Sequence, residues 1–384
     1  MFIDIDSAQY KKYNQNAYGD YFLSKRSAER VIAVLSDGLG SGIKANILSC
    51  MTSVMLLKFI ERGADIHNAC EIVMNSLPIC KVRKISYATF SAIDCTEDGR
   101  ADIVEEGNPQ FLWIRDGAVL DPACRVLASV AFPDRKMHIY GIQLALGDRL
   151  IFCSDGVTQA GLGSPAVKFG LGRRGLIDCV LRRLEEEPDI SSHVLSRYIA
   201  EFAKNTEADH KALDDISAVA VYCREPRETL VFTGPPYHED KDALYAASFM
   251  NFKGKKTVCG GTTANILSRE LKIPVETRIS LSSGSVPPAS CMAGVDLVTE
   301  GILTLTRAGE YLENRETTAD DAAGQLVRFL LAGDCIHFMV GAKLNQIHYD
   351  PNLPVEIEIR KNVVKKIAKL LEEKYIKRVT IKYI

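Results

Sequence analysis

Four acidic positions stand at the ends of apolar, strand-like runs, and their chemistry is that of a cation site. They are Asp20 in Tyr-Gly-Asp-Tyr, Asp37 in Ser-Asp-Gly-Leu-Gly, Asp155 in Ser-Asp-Gly-Val, and the pair Asp214 and Asp215 before Ile-Ser-Ala-Val. A carboxylate beside a flexible glycine can project into a shared pocket together with a backbone carbonyl. Hard divalent cations such as Mg²⁺ and Mn²⁺ take oxygen ligands of this kind. Two such ions can hold a bridging water, lower its pKa and stabilise a phosphoryl group under attack.

Each acidic motif also has a simpler interpretation when it is taken alone. Asp-Gly is a common turn dipeptide, and a single junction of strand, Asp-Gly and helix is most often a turn or a helix cap. No arginine near Asp20 can be assigned as a phosphate ligand, because solvated side chains are the simpler interpretation of Arg26 and Arg30. The combination of four motifs therefore carries the prediction of a site.

Hydrophobic periodicity and turn residues predict the elements that hold these acids. Strands are predicted at residues 30–36, 87–95, 101–106, 111–115, 118–120, 149–154 and 216–223, and helices at 43–60, 65–76, 176–186 and 191–205. Turns or paired helices connect these strands, without regular alternation of strand and helix. The pattern predicts an α+β fold with two sheets and helices outside them.

The predicted helix after Asp37 has apolar residues at helical spacing. These are Ile43, Ile47, Met51, Val54 and Met55. The spacing predicts that this face packs into the core. A second hypothesis is that a partner protein shifts this helix and thereby moves Asp37, which would couple partner binding to metal affinity.

Length and composition predict two globular domains in the cytosol. The 384 residues exceed one typical core, and the polar stretch at 224–228 places the boundary so that residues 1–225 and 226–384 form separate domains. The 47 Lys+Arg nearly balance the 49 Asp+Glu, which argues against nucleic acid as a partner. Eleven cysteines without a CxxC pair indicate reduced thiols. Neither a signal peptide nor a run of ~18 apolar residues is recognisable, so no membrane association is expected.

The second half alternates strand, loop and helix, which predicts an α/β domain. Strands are predicted at 229–232, 256–259, 335–340 and 378–383, helices at 241–252, 264–271 and 355–373, and another strand-like run around Thr304 and Thr306. The loop formed by Gly260, Gly261, Thr262 and Thr263 opens a helix, where backbone N–H groups and hydroxyls can bind an anion or other ligand. A structural turn is the alternative. The domain is expected to bind a small ligand and regulate the first half, or to dock a phosphoprotein.

Taken in order, the motifs resemble those of metal-dependent (PPM-type) serine/threonine phosphatases, and most closely the bacterial SpoIIE-like branch. The resemblance rests on Gly-Asp-Tyr, Asp-Gly-Leu-Gly-Ser-Gly, Cys-Ser-Asp-Gly-Val-Thr-Gln-Ala and Asp-Asp-Ile-Ser. Glu-Gly-Asn-Pro at 106–109 and Leu-Gly-Asp-Arg at 146–149 extend it over roughly residues 10–223. It implies a four-layer α-β-β-α sandwich followed by the second, α/β domain.

The resemblance also implies a role for individual residues. Asp37 matches the aspartate that bridges two metal ions, and the Gly38 carbonyl matches the ligand beside it. Asp155 and Asp214 match the remaining catalytic metal ligands, and Asp20 matches an acid that acts through metal-bound water. Where relatives often carry histidine after the second glycine, this chain has Ser41, so no imidazole is expected there.

The implied function is that of a protein phosphatase with two divalent cations, Mn²⁺ or Mg²⁺. Its substrate would be phosphoserine or phosphothreonine on a regulatory partner protein of the anti-anti-sigma type, and the enzyme would act alone or as a homodimer. The alternative is an inactive pseudo-phosphatase that binds phosphoproteins while its second domain senses a small ligand. The concentration of acids favours the enzyme, because carboxylates in one pocket repel each other unless a cation is present.

Overall fold

A computed structural model of the chain describes residues 1–27, 30–77, 88–130, 132–164, 167–277, 287–316, 318–342 and 353–384. The chain divides into two compact units, Met1–Glu225 and Pro226–Ile384. The division falls between the same two residues as the predicted domain boundary, and independent folding of the two halves stays a prediction. Tyr87, the first residue of one predicted strand, lies outside the described residues.

The first unit contains two antiparallel sheets. Its strands are β1 (Phe2–Tyr10), β2 (Asp20–Arg26), β3 (Arg30–Gly38), β4 (Ala88–Thr96), β5 (Arg100–Glu106), β6 (Leu112–Arg115), β7 (Ala118–Leu120), β8 (Arg125–Ala128), β9 (Lys136–Gln143), β10 (Arg149–Cys153) and β11 (Ile216–Arg224). Its helices are α1 (Ile43–Glu61), α2 (Ile66–Ser76), α3 (Asp155–Thr158), α4 (Gly172–Glu186) and α5 (Ser192–Thr206). The sheets have the strand orders β1-β11-β10-β6-β7 and β2-β3-β4-β5-β9-β8.

These elements form four layers, and a hydrophobic cluster fills each of the three spaces between neighbouring layers. Ile3, Ile103 and Phe152 belong to the cluster between the two sheets. The outer face of the six-stranded sheet is covered by α1 and α2, and that of the five-stranded sheet by α3, α4 and α5. Each sheet therefore buries both faces, and the predicted α-β-β-α sandwich is confirmed.

The sequence pattern did not predict four strands of this unit, namely β1, β2, β8 and β9. Polar residues interrupt their apolar patterns, as in Lys-Met-His-Ile-Tyr-Gly-Ile-Gln of β9. β2 is only half-buried along most of its length. Such strands are stabilised by pairing with neighbours that are distant in sequence, which a local pattern does not contain.

The predicted core face of α1 is wrong, because that face lies in solvent. Ile43, Ile47, Met51 and Val54 are 66%, 51%, 45% and 38% exposed. The helix instead buries a stripe of small residues and leucines, namely Ala45, Ser49, Thr52, Ser53, Leu56, Leu57 and Ile60. Small side chains let the helix lie close to β3, and only Met55 of the predicted set packs against the core beneath it. Partner control of α1 stays a prediction.

By length and composition, α1 is also apolar enough to cross a membrane, with a mean hydropathy of 1.5 over 18 residues. It is the one such helix among the described residues. Core helices of soluble domains pass the same test. Here the helix packs along β2, β3 and β4 with one face, and 39% of that window is buried.

One carboxyl group is buried between the two sheets and is a source of pH-dependent stability. Glu105 is 2% exposed and accepts hydrogen bonds from the Phe111 N–H, at 3.1 Å, and from the Ser91 hydroxyl, at 3.3 Å. Burial raises the pKa of Glu105 to about 8, although both hydrogen bonds oppose the shift. The folded state therefore holds a proton that the unfolded chain releases above pH ~4.5, and stability falls as the pH rises toward 8.

We therefore expect Glu105→Gln to stabilise the first unit at neutral pH, by on the order of 3 kcal/mol at pH 7 and by little at pH 4.5. Glutamine keeps an acceptor for the Phe111 N–H without carrying a charge. The chain's one tryptophan, Trp113 on β6, reports unfolding of this unit by fluorescence in urea. A difference between variant and wild type that does not change with pH would contradict the assignment.

The second unit is a doubly wound α/β domain. Its strands are β12 (Glu228–Thr233), β13 (Lys255–Cys259), β14 (Val275–Thr277), β15 (Ser290–Met292), β16 (Val295–Thr299), β17 (Cys335–Val340) and β18 (Arg378–Tyr383), in the order β14-β15-β16-β13-β12-β17-β18. The five strands from β16 to β18 in that order are parallel. Its helices are α6 (Asp242–Met250), α7 (Gly261–Leu271), α8 (Ile302–Asn314), α9 (Ala322–Ala332) and α10 (Leu353–Tyr375).

The helices cover both faces of this sheet. One hydrophobic cluster joins α6 and α7 to one face, and another joins α8, α9 and α10 to the opposite face. The strand-like interpretation of Thr304 and Thr306 is wrong, because both lie in α8. Ile-Leu-Thr-Leu-Thr alternates like a strand, but the buried positions Thr304, Leu305 and Ala308 follow helical spacing.

Candidate metal centre

Acids from both sheets meet at one edge of the first unit. Asp20 on β2 lies directly opposite Asp37 on β3 in the strand register. Asp20 is buried, and its Oδ2 accepts a hydrogen bond of 2.6 Å from the Ser217 hydroxyl on β11, in the other sheet. The contact joins the edge that carries Asp37 to the edge that carries the Asp214–Asp215 pair.

The ends of β10 and β11 are tied together beside these acids. The Ser154 N–H donates to the Ser217 carbonyl at 3.0 Å, and the Ser217 N–H donates to the Ser154 hydroxyl oxygen at 3.1 Å. That hydroxyl donates to the Asp215 carbonyl at 3.3 Å. Asp155, the next residue after Ser154, thereby begins α3 next to Asp215.

Asp214 and Asp215 face different surroundings although they are adjacent. Asp215 is buried and accepts the backbone N–H groups of Lys12, at 3.1 Å, and Gly19, at 2.9 Å. Both of its oxygens thus hold the segment that leads to Asp20. The Asp214 side chain is 45% exposed, with Lys12 Nζ at 3.8 Å. Asp214 is therefore the more available of the two to a cation.

The charges of these carboxylates raise one another's pKa values. Burial, and then the charges of Asp155 and Asp214, raise the pKa of Asp37 to about 7. Burial and the charge of Asp37 raise the pKa of Asp20 well above its ordinary value. Burial and the charge of Asp214 raise the pKa of Asp155. Such like-charge repulsion is relieved when a cation binds.

The donor set fits Mg²⁺ or Mn²⁺, because the acids and the Gly38 carbonyl offer only oxygen. Within the described ranges, no three Asp, Glu, His or Cys side chains form a preassembled metal site. Binding of a cation would relieve the repulsion among the carboxylates.

A cavity of about 480 Å³ opens beside the acids. Its lining residues are Asp37, Leu39, Ala88, Thr89, Glu106, Gly107, Asp134, Arg135, Lys136, His138 and Asp155. Buried Arg135 pairs with both oxygens of Glu106, with Nε at 2.8 Å, and also donates to the Ala88 carbonyl at 3.1 Å. Its Nη1 is buried without a hydrogen-bond partner among the described residues.

The sequence pattern did not predict strand β9, which begins at Lys136. The basic wall was therefore missed. Arg30 pairs with Asp94 on the neighbouring strand β4. Arg26 stacks on the Phe2 ring at 4.1 Å. Neither of these residues lines the cavity, and Arg135 and Lys136 supply the cationic groups.

Two antiparallel sheets between helical layers, with acids at one edge, are the architecture of PP2C-type phosphatase domains. The family model for stage II sporulation protein E (SpoIIE) matches residues 27–224, just over half of the chain. The chain belongs to this family, which confirms the resemblance drawn from its motifs.

A curated relative is stage II sporulation protein E of Bacillus subtilis (strain 168), which is 27% identical over 141 residues. The match covers 36% of this chain and 17% of that protein, so most of the relative has no counterpart in it.

Among solved structures, the PP2C phosphatase domain of Bacillus subtilis SpoIIE with a fragment of its regulatory domain has a TM-score of 0.48 at 20% identity, covering 58% of this chain and 62% of that one. The RsbU and RsbW domains of Rv1364c from Mycobacterium tuberculosis have a TM-score of 0.46 at 17% identity, covering 64% and 67%.

Proposed function

We propose that the chain is a metal-dependent serine/threonine protein phosphatase that hydrolyses phosphoserine or phosphothreonine on a regulatory partner protein. The observation that carries the proposal is that Asp37 and Asp155, from separate strand ends, line one cavity with a basic wall, while Asp20 lies opposite Asp37 in the strand register. Membership of a PP2C-type phosphatase family supports it.

Each residue of the site has a distinct task in this proposal. Asp37, the Gly38 carbonyl, Asp155 and Asp214 would hold the cations, and Asp20 would orient water bound to them. The cations, when bound, supply a water of lowered pKa and neutralise phosphoryl charge. Asp215 positions the segment before Asp20 through its two backbone hydrogen bonds.

The basic wall of the cavity is suited to the substrate's phosphate. Arg135 holds Glu106 with one edge of its guanidinium and keeps Nη1 free of hydrogen bonds within the described structure. Lys136 is exposed and also lines the cavity. Charged donors of this kind bind phosphate oxygens strongly. The proposed substrate is a small phosphorylated regulator of the anti-anti-sigma type in the cytoplasm.

Metal dependence tests the proposal directly. After EDTA treatment and dialysis, the full chain should hydrolyse neither a phosphoserine peptide nor p-nitrophenyl phosphate, and Mn²⁺ or Mg²⁺ should restore turnover of both. An inactive pseudo-phosphatase would bind the phosphopeptide without releasing phosphate. Equal phosphate release with and without added cation would overturn the proposed mechanism.

Charge reversal of the cavity wall should weaken substrate binding more than chemistry. Lys136→Glu is expected to raise the KM for a phosphoserine peptide by roughly three- to tenfold at low salt with a smaller effect on kcat, because an exposed lysine attracts phosphate at long range. Arg182→Glu on the exposed face of α4 makes the same charge change away from the cavity and should leave the KM unchanged. An equal rise in both variants would show a general charge effect.

A further inference from the structure

Three buried threonine hydroxyls of the second unit lie near the carboxyl ends of its parallel strands. Thr233, Thr263 and Thr304 are each 0% exposed, and none of their hydroxyls has a hydrogen-bond partner among the described residues. A buried polar group without a partner is unfavourable and requires an explanation in a native structure. A bound ligand that completes these hydrogen bonds is such an explanation.

Two helix N-termini meet at this place. Gly260 caps α7 and Gly301 caps α8, and in these fully described helices no side chain caps either end and no acid lies in either first turn. The two glycines are in contact, since a Cβ added to Gly301 would lie 3.4 Å from Gly260 Cα. The positive ends of two helix dipoles are thus adjacent, and an anion is favoured at such helix ends.

The unpartnered threonines sit at equivalent places in these two helices. Thr263 and Thr304 each follow the capping glycine by three residues, the position from which a side chain can reach back to the cap. Thr263 Oγ1 is 3.3 Å from the point that a Cβ at Gly260 would occupy. Thr233 ends β12 in register with Cys259, the residue before Gly260. Thr263 therefore lies against the glycine pair, and Thr304 and Thr233 are placed close to it along α8 and across the strand register.

The two helices leave this point on opposite faces of the sheet, and the space beside their N-termini is called the crevice here. α7 packs on one face of the sheet and α8 on the other, although they follow the neighbouring strands β13 and β16. In open α/β sheets, ligands bind outside the carboxyl ends of strands where the connections turn to opposite faces. Gly261 faces open space, since a Cβ there would have no atom within 4 Å.

We infer that this crevice, defined by Gly260, Gly261, Thr263, Gly301 and Thr304, binds the phosphate group of a small molecule that also carries sugar hydroxyls. The helix ends and hydroxyls receive the phosphate. Glu300, adjacent to the crevice, has a buried Oε2 without a hydrogen-bond partner in the described structure. A carboxylate repels a free anion but accepts hydrogen bonds from hydroxyls, as an acidic residue does with ribose in dinucleotide-binding folds. Sugar phosphates and nucleotides share this chemistry.

Isothermal titration of the full chain, freed of metal by EDTA and dialysis, tests the inference with inorganic phosphate, ribose 5-phosphate and AMP. We expect all three to bind, and ribose 5-phosphate to bind at least about tenfold more tightly than phosphate because of its hydroxyls. Tighter binding of AMP than of ribose 5-phosphate would identify a nucleotide site, and equal binding a sugar-phosphate site. Failure of all three to bind would overturn the inference.

Two variants locate the binding. Gly261→Asp places a carboxylate in the crevice without a steric clash, and an acid in the first turn favours the helix, so the protein should fold and lose at least about tenfold in affinity. The double variant Thr263→Val, Thr304→Val removes unpartnered hydroxyls at nearly constant volume. It should melt at the same or a higher temperature and bind several-fold more weakly. Unchanged binding in Gly261→Asp would assign phosphate to another site and overturn the inference.

The role of Glu300 has its own readout. Glu300→Gln removes the charge and keeps one acceptor, so affinity for inorganic phosphate should be retained or improved. The preference for ribose 5-phosphate over phosphate should fall toward unity, because the carboxylate is the proposed partner of the hydroxyls. A preference that survives this substitution would show that Glu300 does not contact the sugar.

Discussion

Asp37→Asn should lower the metal-dependent turnover of a phosphoserine peptide by about a thousandfold or more, because the variant loses the carboxylate at the centre of the acidic cluster. Asp37 is the residue whose pKa responds to Asp155, Asp214 and Asp215 together. Under the proposed function, its loss would remove the ligand shared by both cations. The measurement is phosphate release at saturating Mn²⁺, with Asp178→Asn on the exposed face of α4 as a control of unchanged activity.

The same variant should change stability in opposite directions with and without metal. In the metal-free protein, removal of one of several repelling carboxylates should raise the Tm. Addition of Mn²⁺ should raise the Tm of the wild type, and the increase should be lost or much reduced in Asp37→Asn. A variant that retains wild-type turnover, or the full Mn²⁺-induced increase in Tm, would show that Asp37 does not bind the cation.

Gly38→Ala should destabilise the first unit by about 3 kcal/mol or more, at the upper end of overpacking effects. A Cβ at Gly38 would lie 2.1 Å from the carbonyl oxygen of Ala45 and 2.9 Å from its Cα, and these backbone atoms of α1 have no flexible end that could move aside. The helix would have to move away from β3. Urea unfolding followed by Trp113 fluorescence measures the loss.

Gly40→Ala is the matched control for this prediction. Gly40 has φ +108° and nothing within 4 Å of an added Cβ, so only backbone strain of about 1 kcal/mol is expected. Comparable stability of the two variants would contradict the close approach of α1 to β3. Gly156 offers a second case, since its Cβ would lie 2.1 Å from the Asp215 carbonyl oxygen.

These glycines show what a local pattern can and cannot predict. Asp-Gly at residues 37–38 and 155–156 was interpreted as a flexible turn beside a ligand. Gly38 and Gly156 do not belong to the glycines that have a positive φ in the structure. They are required because another backbone segment passes within contact distance. The approach of Ala45 to Gly38, or of Asp215 to Gly156, is a property of the packed layers and leaves no mark in the adjacent residues.

Sequence by itself determined the acid motifs, their resemblance to a phosphatase family, the oxygen-donor chemistry and most helices and strands, because these depend on residue type and short-range periodicity. Tertiary structure decided which stripe of α1 packs, and it brought Arg135 to the cavity and Gly260 into contact with Gly301. The physical reason is that both faces of each sheet must be buried, and the segments that bury them lie far apart in the chain. Local spacing does not contain that selection.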